Sequence, residues 1–598
     1  MQPKHDRKAQ KSGRKAAMPA KVAKKADEKL AAKQVKAAMA RVKVPPAEEV
    51  SKFGFWADQI ADEIAARIKA AGKPEAVVKA GASPSGAKHI GNLFDVMKAY
   101  IVYKALKKKG IPARFVLTHD DRDPLRTMPA KLPTLEGKLV DTAPFRENFV
   151  KYVGHPYHTI PDPFDCCHSW AEHFSKVWED GIMGCGISEK EIEFVSNNSL
   201  YTHGKFEPFV ATVLKDIKKV RQVFAPFQKS MKLDYVPLTA ICQNCGKITA
   251  RVVDWDMQNK TLTYSCEAKL IAAKYAITGC GHKAVVPWDK AKLAWRFEWP
   301  AQWGIFGVDF EAFGKDHAEG SWPSGQVVAR EIYKINPPIP HIYEFLLVNG
   351  EKMSARRGNV YIAQDMLDII EPEIFVYFYT KRSKKQRNLD IRNIYLLVDD
   401  FERVERIYWG VEKEPNEHDR LNAIREYESA MAVMPKRMPL RIEYQFAAMV
   451  SQLAPDTEHA IKMLRASGHI KPDQHLTPDD IAQVAHRLTL ARKWVHKYAP
   501  EFAIKINDTV PKEIVSMLTA KQRAALRDLA ALLEQRIDQQ SLYNAFYEIA
   551  KKHDLPPKEF FNAAYRVLIG ANSGPRLAPF IMALTPSRVK AILEQIPA

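Results

Sequence analysis

Glu75-Ala76-Val77-Val78-Lys79-Ala80-Gly81-Ala82-Ser83-Pro84-Ser85-Gly86-Ala87-Lys88-His89-Ile90-Gly91-Asn92 decides the fold. It opens on a short, mostly apolar run, the pattern of a buried strand. Ser83, Pro84, Ser85 and Gly86 then make a loop. Residues 90–109 read as a helix closed by Gly110, and Ala113-Arg114-Phe115-Val116-Leu117-Thr118 as a second strand. Strand, loop, helix, strand is the unit from which parallel sheets are wound. A strand that turns through Gly and Ser into a helix offers free backbone N–H groups and a positive helix end, which suit nucleotide phosphates. His89 and Asn92, three residues apart, face one site from a single helical turn.

Before this unit, Phe55, Ile60, Ile64 and Ile68 recur at helical spacing over residues 51–71 and Gly72 ends the run. Far downstream, Ile342-Tyr343-Glu344-Phe345-Leu346-Leu347-Val348 is expected to resume the sheet. It leads into a basic loop, Glu351-Lys352-Met353-Ser354-Ala355-Arg356-Arg357-Gly358-Asn359. There Lys352 supplies a point charge and Arg356 a fork for pyrophosphate. Nucleotidyl transfer depends on placing such charges where negative charge develops. Residues between about 120 and 340 then count as insertions. From about 390 the chain shows helical periodicity without strand alternation, as in residues 480–498 and 519–538.

Cys242-Gln243-Asn244-Cys245-Gly246, Cys266 and Cys280-Gly281-His282 form two knuckle-like halves on short strands. Four thiolates, Cys242, Cys245, Cys266 and Cys280, suit a structural Zn²⁺, with His282 the alternative to Cys280. Cys166, Cys167 and Cys185 lack such pairing and read as buried thiols.

The whole chain has 598 residues and a net charge of +20. Residues 1–43 hold fourteen Lys or Arg against three acids, so more than half of that excess sits in an Ala- and Lys-rich tail too poor in large apolar groups to fold alone. A basic chain points to a polyanionic partner. No apolar run is long enough to span a bilayer, no secretion signal opens the chain, and seven cysteines fit a reducing compartment, so a cytoplasmic protein without membrane contact is expected.

The two loops, in this order, resemble the HIGH and KMSKS signatures of class I aminoacyl-tRNA synthetases. Pro84 through Asn92 is similar to the first signature of the rarer class I form of lysyl-tRNA synthetase. So are Asp120, Asp121, Asp123 and Arg126, the block Trp299-Pro300-Ala301-Gln302-Trp303, and Gly314-Lys315-Asp316-His317. The likeness runs over residues 50–400 and more loosely beyond; the tail falls outside it. The second signature departs at Ala355-Arg356-Arg357, where Arg keeps the second charge.

The resemblance implies a Rossmann-like α/β catalytic core with a parallel sheet, a zinc-containing insertion and an all-α C-terminal anticodon-binding domain. The divisions expected are a basic tail at 1–45, core halves at 46–165 and 291–390, an acceptor-end insertion at 166–290 and the helical region at 391–598. It implies lysine, ATP with Mg²⁺, and tRNA(Lys) as partners of a monomer. Pro84, Ser85, Gly86, His89, Gly91, Asn92, Lys352 and Met353 would hold ATP, with His89, Asn92, Lys352, Ser354 and Arg356 catalytic. Gly81, Ser83, Trp295, His317 and Tyr343 would form the lysine pocket. Asp120 and Asp121 join the substrate set, because ligands bind beyond the carboxyl ends of parallel strands, and Asp316 joins it with His317 because two polar residues after Gly-Lys make a poor core. Lys215, Lys218, Lys219 and Arg221, and the run Lys381-Arg382-Ser383-Lys384-Lys385-Gln386-Arg387, are candidate tRNA contacts.

Two readings compete. A class I synthetase for glutamate wants an Arg facing the substrate, and one for cysteine a zinc in the active site. A non-catalytic tRNA-binding paralogue has no need of His89, Asn92, Lys352 and Ser354 together.

Overall fold

The central sheet is five-stranded and wholly parallel. Its strands are β1 (Ala76–Ala82), β2 (Ala113–His119), β3 (Glu193–Ser196), β4 (Phe310–Gly314) and β5 (Ile339–Tyr343), in the spatial order 3-2-1-4-5. This computed structural model describes residues 54–228, 234–267, 270–272, 275–353, 359–381 and 386–597. The basic tail, Ser354 and Arg356, and residues 382–385 of the second basic run lie outside the described residues.

β1 is central, pairing Val78 with Phe115 on one side and Phe310 on the other. It is buried along most of its length, as a strand flanked by parallel neighbours and covered by helices must be. Helix α1 (Trp56–Ala70) turns Ala57, Ala61, Ile64 and Ile68 inward. Helix α2 (Leu93–Lys108), which follows the first loop, buries most of its residues against the sheet.

Two core strands lie within the stretch that the sequence assigns to insertions. β4 reads Phe-Glu-Ala-Phe-Gly, and its buried Glu masks the apolar pattern; β3 is a four-residue edge strand with one apolar pair. The helix Trp170–Gly184 also joins the core, with Trp178 and Ile182 in its largest apolar cluster. The core therefore extends into residues 166–196, beyond the expected boundary at 165. The resumed strand also divides. Residues 339–343 enter the main sheet, whereas Leu346–Val348 pairs with Glu351–Lys352 and Arg387–Leu389 in a small separate one.

The true insertion joins an antiparallel sheet, from Leu238–Ala240 to Ala291–Leu293, to the preceding helices Glu207–Lys215 and Ile217–Phe224 through one apolar cluster. Beyond Leu389 every regular element of the described residues is helical. These helices dock on the core through ion pairs, among them Arg441 with Glu373 (2.9 Å) and the buried pair of Arg487 with Glu371 (2.7 Å).

Candidate functional site

The first loop is held from several directions. Trp170 donates its indole N–H to the carbonyl of Pro84 (2.9 Å). Gly86 has φ +119°, where a side chain is strained, and a Cβ there would lie 2.9 Å from Leu132. The backbone N–H of His89 donates to the Asn92 side-chain oxygen (3.1 Å), and Asn92 N–H to the His89 carbonyl (2.8 Å). Asn92 thus fixes the turn that aims the imidazole. Burial is the main cause lowering His89 to about 4, so the ring is neutral near pH 7. Its Nδ1 is buried and unpartnered, a donor or acceptor kept for something else.

The two signatures meet. A Cβ on Gly91 would lie 2.9 Å from the His89 ring and 3.4 Å from the methyl carbon of Met353. Lys352 ends the short hairpin, its ammonium 3.7 Å above the Phe345 ring.

A cavity of about 450 Å³ opens at the carboxyl ends of β1, β2 and β4. It brings together Gly81, Ser83, Ser85, Asn92, Asp120, Trp295 and His317 from the sequence-predicted set. Trp295 stacks on Trp299 at 5.4 Å, and the His317 ring lies 5.7 Å from Trp299, giving one wall that an aliphatic stem can lie against. Tyr343 is buried behind the cavity and reaches it through Asp95, to which its hydroxyl donates (2.6 Å). Asp316 stands on the exposed turn after β4. Asp121 is not in the lining: it accepts from the backbone N–H of Asn198 (2.7 Å) and from the Ser196 hydroxyl, tethering β3 and the helix after it.

Sequence reasoning missed Lys88, Asp95, Tyr157, Trp299, Glu311 and Phe313 as lining residues. Asp95 carried a signal, since it lies three residues past Asn92 and is one of few polar residues in an apolar helix. Glu311 accepts from Lys79 (2.9 Å) and from the indoles of Trp299 (3.0 Å) and Trp303 (2.6 Å), so a buried charge pair closes the cavity floor. Burial raises both Asp95 and Asp120 to about 7, the Asp123 charge adding at Asp120.

Two donor clusters stand apart from this cavity. Cys242, Cys245, Cys266 and Cys280 converge, with sulfurs 3.6 Å apart for Cys242–Cys280 and 3.7 Å for Cys245–Cys266. Four thiolates on one tetrahedral Zn²⁺ are about 3.8 Å apart, so the fit is close. His282 is not in the group. The second corrects the reading of Cys166 and Cys167 as buried thiols: Cys166 is exposed, and both converge with Asp162 and His173. His173 Nε2 lies 3.0 Å from the Pro133 carbonyl, which leaves Nδ1 facing Asp162 (3.2 Å) and Cys166 (3.3 Å). Asp, two Cys and an oriented His are a tetrahedral donor set for the same ion. Cys185 is buried, as expected.

Residues 54–430 match the family described as tRNA synthetases class I (K). A lysine–tRNA ligase of Natronomonas pharaonis is 38% identical over 89% of this chain and 96% of its own. One from Thermococcus kodakarensis is 33% identical over 88% and 97%. A solved glutamate tRNA ligase of Elizabethkingia meningosepticum covers 88% of this chain and all of its own at 11% identity, with a TM-score of only 0.37.

Proposed function

The chain belongs to the class I (K) tRNA synthetases, and from that premise we propose that it activates L-lysine with ATP and loads it onto the 3′ end of tRNA(Lys). The observation that carries the reading is the approach of two signature loops 263 residues apart, where a Cβ on Gly91 would lie 3.4 Å from Met353, beside a cavity that Lys88, Asn92 and several acids line.

In this reading the lysine carboxylate attacks the α-phosphate of ATP, pyrophosphate leaves, and the ribose 2′-OH of the tRNA end then attacks the adenylate carbonyl. Neutral His89 donates a hydrogen bond to a phosphate oxygen while Asn92 holds its backbone. Lys352, with Ser354 and Arg356 following on the same loop, gathers cationic charge around the leaving pyrophosphate. Mg²⁺ arriving with ATP offsets further phosphate charge. Trp295 and Trp299 pack the stem of the lysine side chain.

The insertion would take the acceptor end, with Lys215 and Lys218 exposed beside Lys219 and Arg221. The helical region would take the anticodon. It contains a cavity of about 520 Å³ lined by Phe446, His469, Gln539 and Arg576, among others, with room for an unstacked base. The two donor clusters would each hold a structural Zn²⁺ that braces the core and the insertion. No helix among the described residues is long and apolar enough to cross a membrane.

ATP–pyrophosphate exchange with each of the twenty amino acids, with and without tRNA, tests the reading. Exchange with lysine alone is expected. Exchange with another amino acid would keep the mechanism and discard the pocket, and none at all would leave a tRNA-binding protein.

A further inference from the structure

The acidic groups of the catalytic cavity pair off unequally. Glu311 is bound to Lys79 (2.9 Å) and Asp123 to Lys292 (2.9 Å). Asp95 and Asp120 are left without an ion-pair partner among the described residues. Each has one oxygen engaged: Asp95 accepts from the Tyr343 hydroxyl (2.6 Å), Asp120 from the amides of Asn197 (2.8 Å) and Gln302 (3.1 Å). Each has its second oxygen open. Lys88 offsets both from a distance, as Lys79 and Lys292 offset Asp120, but two carboxylates without a direct ion pair in one cavity still favour further cations arriving to meet them. A free amino acid with an amine on its side chain brings two.

The backbone settles which meets which. Asp120 donates its N–H to the carbonyl of Ala82 (2.9 Å), at the root of the loop where the substrate carboxylate must react. The α-ammonium sits two bonds from that carboxylate, so it belongs beside Asp120. Asp95 lies further along α2, against the carboxyl end of β5, on the far side of the cavity. Resting on the lysine reading above, we infer that Asp95, oriented by Tyr343, receives the ε-ammonium of the substrate and is the residue that selects lysine over apolar amino acids of the same length.

The Tyr343 hydroxyl matters because it occupies one oxygen and turns the other inward. Burial holds the Asp95 carboxyl up at about 7 in the unliganded protein, and an ammonium docking on it would bring that value down.

Competitive inhibition of lysine-dependent exchange by L-lysinol and L-norleucinol tests the assignment in the full-length enzyme, since the two differ only in the terminal amine. Asp95→Asn is expected to cut the preference for lysinol on the order of 100-fold with norleucinol binding unchanged, while Asp120→Asn weakens both alike. If Asp95→Asn folds poorly, Tyr343→Phe, which keeps the ring and removes the donor, is expected to cut the preference about tenfold. A wild-type preference retained in Asp95→Asn or Tyr343→Phe, or collapsed in Asp120→Asn instead, overturns it. A wild-type enzyme without lysine-dependent exchange removes the lysine reading itself, a separate result.

Discussion

Ile90 donates its backbone N–H to the carbonyl oxygen of Tyr361 at 2.8 Å, joining the first signature to the segment just past the second. Tyr379 completes the tie by donating its hydroxyl to the Ile90 carbonyl (2.8 Å). The loops are therefore not independent flaps. The His89 loop is held to the segment after the second signature by a backbone bond that no substitution of the His89 side chain removes.

Gly91 is where that register is tightest. Gly91→Ala places a methyl 2.9 Å from the imidazole and against Met353. Misplacement of a reacting group by about 1 Å costs on the order of 100-fold in rate. The kcat of lysine-dependent exchange is expected to fall by that order with the unfolding midpoint nearly unchanged. Equal losses in rate and in stability would mean that the glycine serves the fold alone.

Acidity of the cavity sets a pH limit. Asp95 faces Tyr343, Glu311, Asp316 and Lys88; Asp120 faces Asp123, Glu298, Lys79 and Lys292, and both carboxyls sit at about 7. Lysine needs them ionised. As pH falls through 7 both take up protons, so kcat/KM for lysine is expected to drop below pH 7 with a limiting slope approaching two on a logarithmic plot. In Asp95→Asn the slope approaches one. A profile flat down to pH 5 would show that neither carboxylate meets an ammonium.

The Lys79–Glu311 pair, each nearly inaccessible on adjacent central strands, should dominate core stability. Lys79→Met strands a buried carboxylate and is expected to cost about 3–5 kcal/mol. Adding Glu311→Gln, whose amide oxygen still accepts from Trp299 and Trp303, should recover most of the loss. Tryptophan fluorescence in denaturant follows it directly, because both indoles touch Glu311.

Metal analysis should find about two zinc per chain, one for each tetrahedral cluster. Cys245→Ser is expected to lose one equivalent and leave lysine activation nearly intact. His173→Ala should lose the other and lower activation as well, because the helix that carries it packs into the catalytic core. Retention of both equivalents in either variant would dismiss that site.

Much of this was legible in the chain because parallel strands advertise themselves. β1 and β2 are short, mostly apolar runs, and a Gly-Ser loop between a strand and a helix offers free backbone N–H groups to an anion. The cysteine knuckles were equally plain, since metal spacing is local. What stayed hidden depends on contacts distant in sequence. Glu311 makes β4 look polar until Lys79 is seen beside it, and Asp95 looks like a helix-surface acid until Tyr343, 248 residues on, is seen donating to it. The Asp162–Cys166–Cys167–His173 set escaped notice because its cysteines are adjacent, without the two-residue spacer of a knuckle.

The basic tail gives a prediction that sequence alone supports. Residues 1–43 carry a net +11, and such a segment binds a polyanion through counterion release, a weak function of sequence and a strong one of salt. Deleting residues 1–45 is expected to raise KM for tRNA severalfold at physiological salt and to flatten its salt dependence. Lysine activation should not change, because neither signature loop comes from those residues. Arg576→Ala, at the helical cavity, should also raise KM for tRNA but leave the salt slope nearly intact, since it removes one charge where the deletion removes eleven net. The two effects separate on a plot of log KM against log salt. A deletion that shifts neither intercept nor slope would assign the tail's charge to some partner other than tRNA.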